Sequence, residues 1–97
     1  MGNLKLSPKK LEEAASKLRA IAHPMRIAII GLLEKQEKMN VTEIYEQLKI
    51  EQASASHHLN ILKTKGVLES KRSGKNTFYY LKHDSISQIV DCLSRCQ

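Results

Sequence analysis

The chain contains no tryptophan, one phenylalanine, two cysteines, two prolines and four glycines in 97 residues. Each scarcity excludes something. Two cysteines do not make a disulfide scaffold. So few prolines and glycines leave no room for a low-complexity linker, and a single domain spanning residues 1–97 is expected. No run approaches the roughly 18 apolar residues of a membrane span. The first residues, Met1-Gly2-Asn3-Leu4-Lys5, lack the apolar core of a secretory signal, so a reducing cytoplasm is the expected compartment. There is no glycine-rich phosphate loop, paired carboxylate site or nucleophile–base motif, so an enzyme is not expected. Acidic residues are also in short supply: ten Asp and Glu against sixteen Lys and Arg leave a net charge of +6.

What is present is ordinary for a folded chain, with 41% hydrophobic and 27% charged residues. A monomer of this length buries only about 60–70% of its unfolded surface, so pairing with a second copy would help it materially. The positive charge is uneven. Residues 1–40 and 51–82 each carry an excess of four, while 41–50 and 83–97 are each −1. A basic domain of this kind suggests a polyanionic partner, either nucleic acid or an anionic membrane surface.

Ser7-Pro8 reads as a helix start, with Ser7 as N-cap. Leu11, Ala14, Leu18 and Ala22 follow at helical spacing. His23-Pro24 ends that helix, with His23 as a cap or loop residue, and Pro24 opens the next. Apolar residues cover nearly the whole circumference of 25–33, which predicts a buried central helix, and 34–38 reads as a charged connection. Asn40 with Glu43 fits a capping box for a short helix whose inner face is Val41, Ile44 and Leu48. Residues 49–51 are a tight turn. A fourth helix runs over about 52–65, with Ala55, Leu59 and Leu62 as its apolar seam, a poor cap in Glu51 and a C-terminal stop at Gly66. The period then changes to strand over 67–72, turn over 73–76 and strand over 77–81. Asp84 caps a last helix striped by Ile86, Ile89, Val90 and Leu93. The order is helix, helix, helix, helix, hairpin, helix: mainly α, with a small β-hairpin.

Two short helices joined by a three-residue turn form a helix-turn-helix, and its second helix is of a size to enter the major groove of DNA. The inward seam leaves Gln52, Ser54, Ser56, His57 and Asn60 pointing out. Gln and Asn can pair with adenine, and Ser and His can reach bases or phosphates. Lys63, farther along, suits phosphate contact. The hairpin offers Lys71, Arg72, Lys75 and Asn76, with Gly74 for close approach, as an arm along the backbone or minor groove. The same architecture occurs as plain packing. A winged-helix protein-interaction module, its charge serving solubility, is the alternative reading.

Three segments make the chain resemble the ArsR type of winged-helix transcriptional repressor over nearly its whole length. Residues 22–30 (AHPMRIAII) look like that family's second-helix opening. Residues 41–44 (VTEI) through 53–59 (ASASHHL) look like its helix-turn-helix, ending in the Ser-x-His-Leu motif at Ser56, His58 and Leu59. Residues 62–68 (LKTKGVL) through Gly74 to 78–81 (FYYL) look like its passage from recognition helix to wing. The resemblance implies a winged helix-turn-helix fold and a homodimer that binds an inverted-repeat operator. It also implies an interface from the first and last helices (about 8–22 and 85–96), hence Leu11, Ala14, Leu18, Ile86, Ile89, Val90 and Leu93. Two recognition helices would then stand about 34 Å apart, one turn of DNA.

Many members of that family release DNA on binding metal. The positions matching one such site are Asn40 and Thr42, neither a thiolate, and those matching another are His83, Ser85 and Cys96, an incomplete set. Cys92 and Cys96, four apart on one helix, could share Zn²⁺ or another thiophilic ion with help from His83 or a second protomer. The alternative is that both are small apolar side chains at a dimer contact. His58, beside the seam, reads as a partly buried structural hydrogen-bonder.

Overall fold

The computed structural model describes residues 7–82. Four helices and three strands run in the order α1 (Pro8–Ile21), α2 (Pro24–Gln36), β1 (Lys38–Asn40), α3 (Val41–Leu48), α4 (Gln52–Thr64), β2 (Leu68–Ser73) and β3 (Asn76–Leu81). The expected last helix falls on 83–97, so Ile86, Ile89, Val90, Leu93, Cys92 and Cys96 lie outside the described residues. Among the described residues no helix is long and apolar enough to cross a membrane.

Local chemistry sets each boundary. The Ser7 hydroxyl accepts from the Lys10 amide at 3.3 Å, and Pro8 follows at the first helical position. His23 caps α2 through Nδ1, which accepts from the Met25 amide at 3.2 Å. The capping box at α3 is complete: Asn40 Oδ1 accepts from the Glu43 amide at 2.8 Å, and Glu43 Oε1 accepts from the Asn40 amide at 2.9 Å. Lys49 (φ 57°) reverses the chain in the left-handed region between α3 and α4. Glu51 makes no side-chain cap bond. The far end of α4 is closed by a Schellman pair: the Val67 amide donates to the Leu62 carbonyl at 2.9 Å and the Gly66 amide to that of Lys63 at 3.0 Å. Gly66 (φ 78°) supplies the left-handed step this requires.

The core is built from Ile21, Ile29, Ile30, Leu33, Met39, Ile44, Leu59, Leu62, Val67 and Leu68, with Tyr79 and Leu81 of β3 half-buried against it. The central helix is less enclosed than its composition predicts. Ile29, Ile30 and Leu33 are buried, while Ile27 and Leu32 are half-buried against the core.

Three expectations need correction. The charged connection at 34–38 is mostly helix: α2 continues to Gln36, and Glu37 (φ 68°) reverses the chain in one residue. The chain then enters a strand unseen in the sequence. That strand, β1, makes the hairpin a three-stranded antiparallel sheet in the order β1-β3-β2, with Met39 opposite Tyr79. The turn at the hairpin tip is also tighter than expected. Ser73 pairs with Asn76, so only Gly74 and Lys75 turn.

Candidate nucleic-acid interface

Helix α4 divides into two faces. Ala55, Leu59 and Leu62 are completely buried, and His58 joins them at 7% exposure. Gln52, Ser54, Ser56, His57, Asn60 and Lys63 are all exposed. Ala53 is exposed beside them, a residue sequence reasoning passed over although its methyl suits a thymine methyl. No acidic residue occurs within α4. The helix therefore offers donors, acceptors and a small apolar group with no charge that would repel phosphate.

The hairpin residues Lys71, Arg72, Lys75 and Asn76 are likewise exposed, but strand register separates them. Side chains alternate across a strand. Arg72 pairs with Thr77 and Ser70 with Tyr79, whose ring packs against the core, so Arg72 shares the inner face of the sheet. Lys71 pairs with Phe78, and Glu69 with Tyr80, on the outer face. Lys38 joins that outer face, with its ammonium 5.8 Å from the centre of the Phe78 ring. Tyr80 donates to Glu69 Oε2 at 3.3 Å. Local desolvation, then the neighbouring carboxylate and its hydrogen bond, raise the Tyr80 phenol above its ordinary value. The acid of the hairpin is thus turned away from the side where α4 lies. Four basic-tip residues expected to act together are brought together in the chain but not on one face.

Between α4, the start of α3 and the inner side of the wing lies an open cleft of about 320 Å³. Asn40, Val41, Thr42, Ser56, Lys75, Asn76, Thr77 and Tyr79 line it. Thr77 and Tyr79 are not singled out from sequence, and Thr42 only as a position without a thiolate. Thr77 and Tyr79 could have been found from strand alternation once the outward side of Phe78 was known.

Among the described residues no group of three His, Cys, Asp or Glu side chains could hold a metal ion. His58 is instead a hydrogen-bonding core residue, as its place beside the seam predicts. Its Nδ1 accepts from Arg26 Nε at 3.2 Å. Burial first, then the charges of His23, Arg26 and His57, hold its pKa below the ordinary 6.5. On α1, Leu11 and Leu18 are 47% and 52% exposed, with Ala14 exposed between them.

Comparison with known proteins bears on this arrangement directly. The pattern described as "Bacterial regulatory protein, arsR family" matches residues 23–70, from the cap of α2 into the wing. An uncharacterized HTH-type transcriptional regulator of Methanocaldococcus jannaschii is 38% identical over 81 residues, covering 84% of this chain and 91% of that one. The transcriptional repressor PagR of Bacillus anthracis is 34% identical over 93 residues, covering 96% and 93% of the two chains. The PagR crystal structure superposes with a TM-score of 0.83, over 90% of this chain and 99% of that one. A homodimeric winged helix-turn-helix DNA-binding domain from Mycobacterium bovis shares the fold at a TM-score of 0.81 and 23% identity, over 97% of this chain and 86% of that one. With a capped helix-turn-helix, a polar outer face on its second helix and a wing beside it, the chain belongs to the arsR family of bacterial regulatory proteins and is a DNA-binding transcriptional regulator, not an enzyme.

Proposed function

We propose that the protein represses transcription as a homodimer bound to an inverted-repeat operator. Each α4 lies in the major groove of one half-site, and each wing lies along the adjoining backbone or minor groove. Gln52, Ser54, Ser56, His57 and Asn60 face base edges, while Lys63, Lys71, Arg72, Lys75 and Asn76 meet phosphates or the minor groove. The observation that carries this reading is the division of α4, whose seam is fully buried while its polar residues stand uncovered beside a cationic hairpin.

Dimerisation is assigned to the ends of the single domain, residues about 8–22 and 85–96, and so to Leu11, Ala14, Leu18, Ile86, Ile89, Val90 and Leu93. Supporting it, two leucines half-exposed one heptad apart forgo apolar burial of the order of 1 kcal/mol each in a lone protomer. The homodimeric state of the M. bovis domain points the same way. The compartment that fits such a regulator is the cytoplasm.

The test is selection of bound duplexes from a random pool, followed by affinity measurement. Enrichment of a palindrome with half-sites about one helical turn apart is expected. Recovery of no sequence above nonspecific affinity, together with a protein partner in a pull-down, would replace this reading with that of a protein-interaction module. For Cys92 and Cys96 we propose packing at the dimer contact, with a thiophilic-ion or redox response as the alternative, read by titrating Zn²⁺, Cd²⁺, Cu⁺ and oxidants into the DNA-bound protein. An equal response from the Cys92→Ser/Cys96→Ser variant would assign the pair to packing.

A further inference from the structure

Among the four buried side chains of α4, His58 alone is polar. Its one described hydrogen bond reaches 32 residues back, where Arg26 Nε donates to its Nδ1 at 3.2 Å. The same guanidinium donates through Nη1 to the Ala20 carbonyl, in the last turn of α1, at 3.1 Å. One side chain on α2 therefore ties the recognition helix to the helix that carries the exposed leucine stripe. Two further rings complete the cluster: His23 lies 4.7 Å from His58 between ring centroids, and His57 lies 5.6 Å away.

We infer that Arg26 is a positioning residue for DNA recognition, acting through His58, and that this link makes the seating of α4 sensitive to acid. The inference rests on the DNA-reading role proposed for α4. Its chemistry is simple. Nδ1 can accept from Arg26 only while it holds a lone pair, so the neutral ring carries its proton on Nε2. A second proton places an N–H against the Arg26 N–H. It also places a new positive charge beside a guanidinium, in a corner shared with two more histidines. Among the described residues no carboxylate faces His58. The α1–α2 corner presents His23 and Arg26, α4 itself presents His57, α1 presents only the Ala20 carbonyl, and α3 and β2 add no charge.

The sign follows from these neighbours. They disfavour the charged ring in the folded state and hold its pKa below the ordinary 6.5. The seated arrangement keeps its full stability above about pH 6.5 and loses it as pH falls through the lowered value. His57, the next residue, stands on the DNA-facing side, so a shift at His58 is felt at the bases within one residue.

The test must separate this effect from another: DNA itself favours protonated groups near it, and His57 stands on the DNA-facing side. That effect is largely indifferent to sequence. The readout is therefore the ratio of affinities for a fluorescently labelled duplex recovered by selection with the His57→Gln protein itself and for the same duplex scrambled, measured in that background. In that background the ratio should fall by up to about tenfold per pH unit below pH 6.5, the limit for one linked proton. Adding His58→Asn should flatten the profile, because the Asn Oδ1 replaces the Nδ1 acceptor and does not titrate. Arg26→Lys keeps the charge but cannot bridge both acceptors, and should lower the ratio at neutral pH about tenfold. A flat profile in His57→Gln, an unchanged fall with His58→Asn, or an unaltered ratio with Arg26→Lys each overturns the inference. Should His58→Asn not fold, the other two proteins still decide.

Amide exchange of α4 in the free protein provides an arm independent of DNA. Protection over residues 55–58 should fall in acid in the His57→Gln protein and hold in His57→Gln/His58→Asn, and equal behaviour overturns the acid-sensitive seat. If selection yields no duplex at all, the DNA-reading role itself falls, while the exchange arm still decides the seat.

Discussion

The register of the wing yields a prediction that charge counting would not. Lys71, Arg72 and Lys75 are all exposed cations within five residues, and on charge alone they are equivalent. Register makes them unequal. Arg72 opposes Thr77 on the inner face, and Lys75 lines the cleft shared with Ser56 of α4, whereas Lys71 opposes Phe78 on the outer face. A strand of DNA passing from the groove that holds α4 to the groove that holds the wing must cross the inner side. Each cation lost from a phosphate contact removes about 0.9 from the slope of log K against log salt. That is about 3.5-fold in the salt sensitivity of affinity between 50 and 200 mM, and about 12-fold for two contacts. Arg72→Ala and Lys75→Ala should each flatten the slope by about one and the double variant by about two, with little discrimination lost between sequences. Lys71→Ala should leave the slope nearly unchanged. All are surface substitutions, so stability should stay within about 0.5 kcal/mol of the parent. Fluorescence anisotropy across a salt series measures the slope, and a denaturant melt checks the fold. Equal slopes for the Lys71 and Lys75 variants would refute the two-faced wing.

Three further outcomes follow from the described geometry. Asn40→Ala removes the side-chain half of the capping box, the 2.8 Å bond from the Glu43 amide, while the backbone amide of residue 40 still donates to Glu43, and should lower stability by about 1 kcal/mol, seen as a shifted urea midpoint at constant slope. Lys49→Gly relieves a left-handed backbone held by a side-chain-bearing residue (φ 57°), and should raise stability by about 0.5–1 kcal/mol despite the added freedom of the unfolded chain; a lower midpoint would show that the turn is not strained. Leu18→Asp places a charge in the exposed stripe of α1 without touching the core, and should yield a folded monomer in sedimentation; a persisting dimer would move the interface elsewhere.

Much of this arrangement was legible because short-range chemistry marked it. Asn40 and Glu43 lie three apart with an apolar run behind them, and that spacing alone specifies a reciprocal cap. Gly66 stands where α4 must turn left-handed, so the helix end was visible to within a residue. The outward set on α4 followed from three seam positions, because helical period fixes every other side chain once the buried face is known. Two of the failures share a cause. At Glu37 the chain enters the left-handed region without the glycine or asparagine that signals such a step, so nothing in the sequence separates the end of α2 from a loop. The strand that follows is three residues long, too short for alternation to register, and exists only because β3 is there to pair with it. The two faces of the wing were hidden for another reason: either turn length sets Lys71 opposite Phe78, and only the packing of Tyr79 on the core decides which of the alternating faces turns inward.

That pattern of success and failure bears on how α4 is held. With four buried side chains in a thirteen-residue helix and no side-chain cap at its start, α4 owes little of its stability to its own sequence. Leu59 and Leu62, completely buried, contribute about 1.5–3 kcal/mol each through contact with other elements. The Schellman closure anchors the end far from Gln52. The end that meets the bases is therefore the less firmly held one, and the polar tie nearest to it is the bond from Arg26 to His58. A recognition helix whose outer face is polar apart from Ala53, so that it can read DNA, depends on its neighbours for position. A change at the corner of α1 and α2 consequently reaches the DNA-facing end more readily than the Gly66 end.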